Sequence, residues 1–236
     1  MKAVILAAGY ATRLYPLTKN KAKPLLPVGN KLMIEWIIGK IKEVPEINEI
    51  IIVTNSKFYE DFKNWAENKK GIKILNDGTT SNEDRLGVVD DIIFAIEAEN
   101  ITEDLMIVGG DNLFEFDLNK LVTLSKEKKA STIAAFDVKT IEEARKLGNV
   151  ISDENGKISD IEEKPQNPKS TLAATLCYFI RAEDIPAAVS QKNTIGIPLP
   201  KLIMKTKPVY AVVYTAPWYD IGSHEQYKEV NKIYKK

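Results

Sequence analysis

The 236-residue sequence predicts a three-layer α/β/α domain on a mostly parallel, mixed sheet. Three observations carry that prediction. Strand-like and helix-like segments alternate from the first residues. The strand-like runs are short and apolar, as strands covered on both faces are. Hydrophobic residues make up 44% of the chain, enough for one sizeable core. No low-complexity linker or internal repeat divides the sequence, so residues 1–236 read as one domain. In it, 1–138 carries the strand–helix repeat and 139–236 extends the same sheet.

The elements follow in order. KAVIL at 2–6 is apolar and partly β-branched, a buried parallel strand. Residues 31–44 place Leu32, Ile34, Trp36, Ile37, Ile38 and Ile41 at helical spacing and stop at Pro45. EIIIVT at 49–54 is the second strand, and 57–67 is an amphipathic helix with Phe58, Phe62 and Trp65 on one face. Strands at 72–75, 105–109 and 131–138 then alternate with helices at 86–97 and 118–128. Beyond Lys139 the rhythm changes. A short helix at 141–146 precedes two short runs, 150–152 and 157–161, and Asn155-Gly156 between them signals a hairpin. Strand-like runs at 171–180 and 210–215 lead to a closing helix at 223–234, which opens with Ser223 and Gln226 at capping-box spacing.

Composition excludes several classes. Lys plus Arg and Asp plus Glu are both 33, and this zero balance argues against whole-surface affinity for nucleic acid. The single cysteine, Cys177, cannot form an intrachain disulfide or a Cys-rich zinc site, and agrees with a reducing cytoplasm. No apolar run approaches the ~18 residues of a membrane span, and no signal peptide is expected. A cytoplasmic protein without nucleic-acid or membrane partners is the expectation; a homo-oligomer stays open. With one histidine, His224, Ser–His or Cys–His nucleophilic catalysis is not expected.

Chemistry-bearing residues gather at strand ends. The first strand runs into Gly9, Arg13 and Pro16; the lone glycine does not make the G-x-G-x-x-G loop of a dinucleotide site. Arg13 and Lys23, on consecutive loops at the mouth of a parallel sheet, are placed to clamp a polyphosphate; singly, each also reads as solvated charge. Asp111 and Asp220 each follow a strand-like run. As hard oxygen ligands they suit Mg²⁺; otherwise they serve as a helix cap and a loop hydrogen-bond acceptor.

Five motifs in order carry a resemblance: GYATRLYPLT at 9–18, KPLLPV at 23–28, GGDN at 109–112, EEKP at 162–165 and WYDIG at 218–222. In them the chain resembles the sugar-phosphate nucleotidyltransferases, the family of glucose-1-phosphate thymidylyl- and uridylyltransferases. The resemblance implies a Rossmann-like nucleotidyltransferase domain whose 1–138 half binds the nucleotide and whose 139–236 half binds the sugar. The implied reaction joins an NTP (dTTP, UTP or CTP) to a sugar 1-phosphate, giving an NDP-sugar and pyrophosphate. Leu6, Ala8, Gly9, Arg13, Lys23, Gly87 and Asp111 would hold the nucleotide. Asn112, Gly148, Glu163, Lys164 and Thr175 would hold the sugar phosphate. Asp111 and Asp220 would bind Mg²⁺, and Arg13, Lys23 and Asp111 would be the catalytic group. The chain departs from the family at Ala11 and Leu176, where glycine is common, and at 76–87, a longer polar stretch than the usual base-reading loop. Two other readings stay open: a cytidylyltransferase acting on a phospho-alcohol such as phosphocholine or inositol phosphate, and a non-catalytic nucleotide-sugar-binding regulator.

Overall fold

A computed structural model describes residues 1–190 and 197–235. The first part contains β1 (Lys2–Leu6), β2 (Pro27–Val28), β3 (Lys31–Leu32), α1 (Met33–Lys42), β4 (Glu49–Thr54), α2 (Tyr59–Ala66), β5 (Ile72–Asn76) and α3 (Val88–Ala98). It continues with β6 (Leu105–Gly109), β7 (Asn112–Phe114), α4 (Asn119–Lys128) and β8 (Ser131–Asp137). The rest comprises α5 (Ile141–Ala144), β9 (Gly148–Ser152), β10 (Ile158–Glu163), β11 (Leu172–Ile180), α6 (Ile185–Val189), α7 (Leu199–Ile203), β12 (Val209–Tyr214), β13 (Trp218–Asp220) and α8 (His224–Ile233).

Among the described residues, nine strands form the main sheet, running β10-β9-β11-β6-β1-β4-β5, with β8 on β11 and β12 on β8. The β6-β1-β4-β5 block is parallel throughout. β11 is antiparallel to β6, β8 and β9. This reversal positions the site. Cys177 pairs with Val108, so residues 172–175 of β11 lie beyond the C-terminal end of β6, at the edge where the parallel strands finish.

Alternation along β1 divides the core: Ala3 and Ile5 pack into the cluster containing Ile34, Ile37 and Phe62, Val4 into the one containing Ile92, Ile96 and Leu202. Helices therefore cover both faces of the sheet, and the parallel strands are apolar throughout for that reason. No helix among the described residues is long and apolar enough to cross a membrane.

Several elements differ from the sequence expectation. The helix expected at 31–44 begins at Met33, because Lys31 and Leu32 pair with Val28 and Pro27 in a hairpin and Glu35 accepts the Leu32 N–H at 3.0 Å. α6 and α7 are five residues each and begin beside Pro186 and Pro200, too short to show a period. The three-residue ladder of β7 with β13 also left no sequence signal; it pairs Asp220 with Asn112.

The Asn155-Gly156 turn forms as expected and docks on β12, where the Ala211 N–H donates to the Gly156 carbonyl at 2.7 Å. Gly156 has φ +78°, and a Cβ there would stand 2.7 Å from the Ala211 carbonyl oxygen. Gly156→Ala should lower stability by roughly 1–3 kcal/mol through backbone strain and displacement of the turn. Urea denaturation checks this; a loss under about 0.5 kcal/mol, the range of ordinary surface changes, would contradict it.

Candidate active site

A cleft of about 490 Å³ opens at the C-terminal edge of the parallel strands. Arg13 and the segment from Leu86 to Asp90 line one part of it, Asp111 and Asn112 another, and Lys146 to Gly148, Glu163, Lys164, Ala174 to Leu176, Tyr178, Ile197, Pro198, Trp218 and Asp220 the rest. Nine residues singled out from the sequence therefore meet here: Arg13, Gly87, Asp111, Asn112, Gly148, Glu163, Lys164, Thr175 and Asp220. Leu6, Ala8, Gly9 and Lys23 are not among its lining residues. The Leu6 carbonyl accepts the Gly110 N–H at 2.8 Å, and the Ala8 carbonyl accepts Asn55 Nδ2 at 2.7 Å. Asp90 and Lys146 line the cleft without having stood out, because an acid in a helix and a lysine after one resemble ordinary surface charge.

Lys23 opens a buried 3-10 turn with Pro24 and Leu25. The side chain is buried, and Nζ donates to Asp111 Oδ2 at 2.9 Å and to the Ile221 carbonyl. A buried ammonium requires such partners. The sequence expectation of Lys23 as a direct phosphate contact meets an ammonium that already spends two donors on the protein. The β7–β13 ladder brings Asp220 close to Asp111. Burial, and then the Asp111 charge, raise the Asp220 carboxyl above its ordinary value, against the pull of Lys23, Arg13 and Lys164. A divalent cation relieves that conflict, and two carboxylates fit Mg²⁺, which takes its other ligands from phosphate and water. Among the described residues no group of three or more His, Cys, Asp or Glu forms a metal cage.

The opposite wall is shaped by two strained positions. Lys164 has φ +44°, and its N–H donates to the Leu147 carbonyl at 3.1 Å, which fixes the platform from which the exposed side chain leaves. Beside it, a Cβ at Gly148 would lie 3.3 Å from Glu163 Oε2, so the absence of a side chain there gives the carboxylate room. Leu176 has φ +53° at a register shift in β11. This left-handed backbone favours glycine, yet a leucine side chain stands here on the cleft wall. Ala11, likewise at φ +47°, closes the turn before Arg13, its carbonyl accepting from Thr18 Oγ1 at 2.8 Å. At both departures from the family pattern, glycine is the residue the backbone prefers.

Asn112 and Thr175 are buried members of a polar frame. Asn112 Nδ2 donates to the Thr175 carbonyl at 2.8 Å, Trp218 Nε1 to Asn112 Oδ1 at 3.1 Å, and Thr175 Oγ1 to the Ala134 carbonyl at 3.0 Å. The 76–87 stretch is also a built structure. The Asp84 carboxylate accepts from the backbone and hydroxyls of Thr80 and Ser81, which hold its pKa down at about 2.

A strand-edge cleft with cations on two walls and two converging carboxylates defines an α/β protein suited to a phosphate-rich ligand. The chain belongs to the nucleotidyl transferase family, whose model matches residues 2–236. It is 28% identical to a chain of Sulfolobus acidocaldarius named as a mannose-1-phosphate guanyltransferase, over 98% of this chain and 62% of that one. It is 29% identical to a glucose-1-phosphate adenylyltransferase of Clostridium novyi, over 98% of this chain and 66% of that one. The chain thus spans about two thirds or less of the length of these relatives. A solved structure from Bacillus anthracis, described as a glucose-1-phosphate thymidylyltransferase, shares the fold: its TM-score is 0.84 at 24% identity, over 100% of this chain and 96% of that one.

The polar frame predicts that Asn112→Ala lowers stability by roughly 2–4 kcal/mol, because the Thr175 carbonyl and the Trp218 N–H both lose a buried partner. Thermal and urea denaturation read the loss. A variant as stable as the wild type would show that water replaces the amide.

Proposed function

We propose that this protein transfers a nucleotidyl group from an NTP to a sugar 1-phosphate and releases pyrophosphate. Glucose 1-phosphate with dTTP or UTP is the first pair to test. The observation that carries the reading is the convergence of Asp111 and Asp220 between Arg13 and Lys164. The names of the relatives support it: they share a sugar 1-phosphate and differ in the base.

The chemistry asks little of the protein beyond placement and charge. A sugar phosphate oxygen, already anionic near neutral pH, forms a bond to the α-phosphorus, and the α–β bridging oxygen leaves with pyrophosphate. No general base is required. What remains is alignment and charge neutralisation. Asp111 and Asp220 would hold Mg²⁺, which when bound supplies positive charge to the triphosphate. Arg13 holds the departing pyrophosphate. Lys23 orients Asp111 through its hydrogen bond, and its remaining N–H is the donor available to the charge that develops on the α-phosphoryl group. Lys164 holds the sugar phosphate, and Glu163 accepts from sugar hydroxyls beside Gly148. Gly87 borders the base. The nucleotide occupies the 1–138 half and the sugar the 139–236 half. Leu176 narrows the sugar side, so phosphocholine and inositol phosphate belong among the acceptors tested.

A matrix of five NTPs against sugar 1-phosphates and these phospho-alcohols, read by pyrophosphate release, tests the proposal. Release that requires both a nucleotide and a sugar 1-phosphate is expected. Nucleotide-sugar binding without turnover in any combination would make the protein a regulator. Asp111→Asn and Asp220→Asn should each reduce turnover by roughly 10²-fold or more; the melting temperature should hold in Asp220→Asn and fall in Asp111→Asn, which takes the counter-charge from the buried Lys23. Wild-type turnover unaffected by EDTA would remove the metal role.

Lys164→Ala should raise KM for the sugar 1-phosphate about tenfold or more while leaving that for the NTP nearly unchanged. Steady-state kinetics with each substrate varied decides it. Equal effects on both constants would move Lys164 to the triphosphate.

A further inference from the structure

Under the loop that leads into α3 lies a carboxyl pair for which the proposed reaction has no use. Asp77 follows β5. Asp91 stands in the first turn of α3, its N–H donating to the Gly87 carbonyl at 2.9 Å, and is only 7% exposed. Asp77 Oδ1 accepts the Thr79 N–H and hydroxyl, both at 2.8 Å. Asp77 Oδ2 and Asp91 Oδ1 are both buried, and neither has a donor among the described residues. Yet the two carboxyls are in hydrogen-bond contact with each other. Two acceptors that meet without a donor are satisfied by one shared proton.

The surroundings favour keeping that proton. Among the described residues, the charges that act appreciably on Asp91, those of Asp77 and Asp90, are negative; Asp77 feels Asp84 as well. Of the elements packed on α3, α6 has no ionisable side chain, and Lys2 of β1 and Glu49 of β4 pair with each other at the far ends of their strands. Tyr10, whose hydroxyl meets Thr79 Oγ1 at 3.4 Å, is itself raised by burial. Among the described residues, no cation acts on the pair to stabilise a second carboxylate. Burial, then the Asp77 charge, push the Asp91 carboxyl up to about 8.

We propose that Asp91 is a positioning residue for the nucleotide side of the cleft: as a neutral carboxylic acid it donates to Asp77 and clamps the 78–86 loop to the first turn of α3. The inference rests on the nucleotidyl-transfer reading, because Leu86, Gly87 and Asp90 are what that turn presents to the cleft. The clamp also reaches the turn before Arg13, since Asp77 orients Thr79 and Thr79 meets Tyr10. Loss of the proton sets two carboxylates against each other at this joint, and the α3 end of the cleft loses its fixed position. The sign follows from linkage. The folded value lies above the ordinary carboxylate value, so the stabilisation is complete below about pH 4, declines as pH rises and is gone above about pH 8.

The test joins an NMR titration of ¹³C-labelled Asp carboxyls in the unliganded protein to KM measurements from about pH 6.5 to 9.5, the range that brackets the Asp91 transition. In the wild type, Asp91 should titrate near pH 8, and KM for the NTP should rise roughly tenfold across that transition while KM for the phosphate acceptor stays level. In Asp91→Asn the amide donates to Asp77 at every pH, so the NTP profile should be flat. Asp77→Asn, which supplies the donor from the other side, should also be flat. Asp91→Ala should raise KM for the NTP at all pH values, with Asn restoring it. Titration of Asp91 in the ordinary range near pH 4 would overturn the proposal, as would wild-type and Asp91→Asn profiles that rise in parallel. Failure of all NTPs to react would strike the reaction assigned to the cleft, and the NMR titration would still decide the clamp.

Discussion

The ion pair between Lys23 and Asp111 is the joint on which the cleft depends. A buried ammonium is costly unless bonded, and although solvent reaches the Asp111 carboxylate and screens the pair, its removal would leave Lys23 without a counter-charge. The three segments it joins come from distant parts of the sequence: the turn before β2, the loop after β6 and the residue that follows β13. Lys23 also offsets part of the repulsion between Asp111 and Asp220. Two carboxylates can then face one cleft without the protein having to neutralise both by protonation. The same charge balance suits the two carboxylates to the cation proposed for them.

Sheet topology explains why the wall of the cleft built from residues 139–236 stands opposite the one built from residues 1–138. A chain that continued the parallel pattern would carry its later residues along a widening row of strand ends. Instead β11 returns antiparallel beside β6, and its early residues project over the finish of the parallel block. The register shift at 174–178 then turns Thr175 inward to the Ala134 carbonyl and leaves Leu176 on the cleft wall in a left-handed conformation. For a non-glycine residue that conformation costs about 1–2 kcal/mol. Strain of this kind at a cleft wall points to a side chain retained for what it does to the space beside it.

Much of this was legible in the sequence, and the limits have physical causes. The buried strands were plain because two-sided burial imposes an apolar, β-branched run; 2–6, 49–54 and 105–109 match their observed bounds. The expected site residues were legible as a set, and nine of them share the cleft. Partnership was not. Nothing local to Lys23 says that it will be buried against a carboxylate 88 positions away. Nothing around Asn112 marks it as the support of Thr175 and Trp218. The β7–β13 ladder is too short to carry a period, although it brings the two carboxylates together. The 76–87 stretch read as a polar loop, and its composition conceals both the Asp84 anchor and the Asp77–Asp91 pair, which only long-range packing creates.

The cleft is lined with charges and hydrogen-bond donors, and neither the lone cysteine nor the lone histidine is placed to serve there as a nucleophile. Cys177 is fully buried, its thiol pushed up to about 12, and His224 bonds the Tyr15 carbonyl at 2.9 Å. The proposed transfer is therefore direct. Exchange of labelled pyrophosphate into the NTP measures this. Direct transfer predicts no exchange with NTP and pyrophosphate alone, and rapid exchange once the matching nucleotide-sugar is added. Exchange in the absence of any sugar phosphate or nucleotide-sugar would reveal a nucleotidyl-enzyme intermediate and contradict a cleft that works by placement and charge alone.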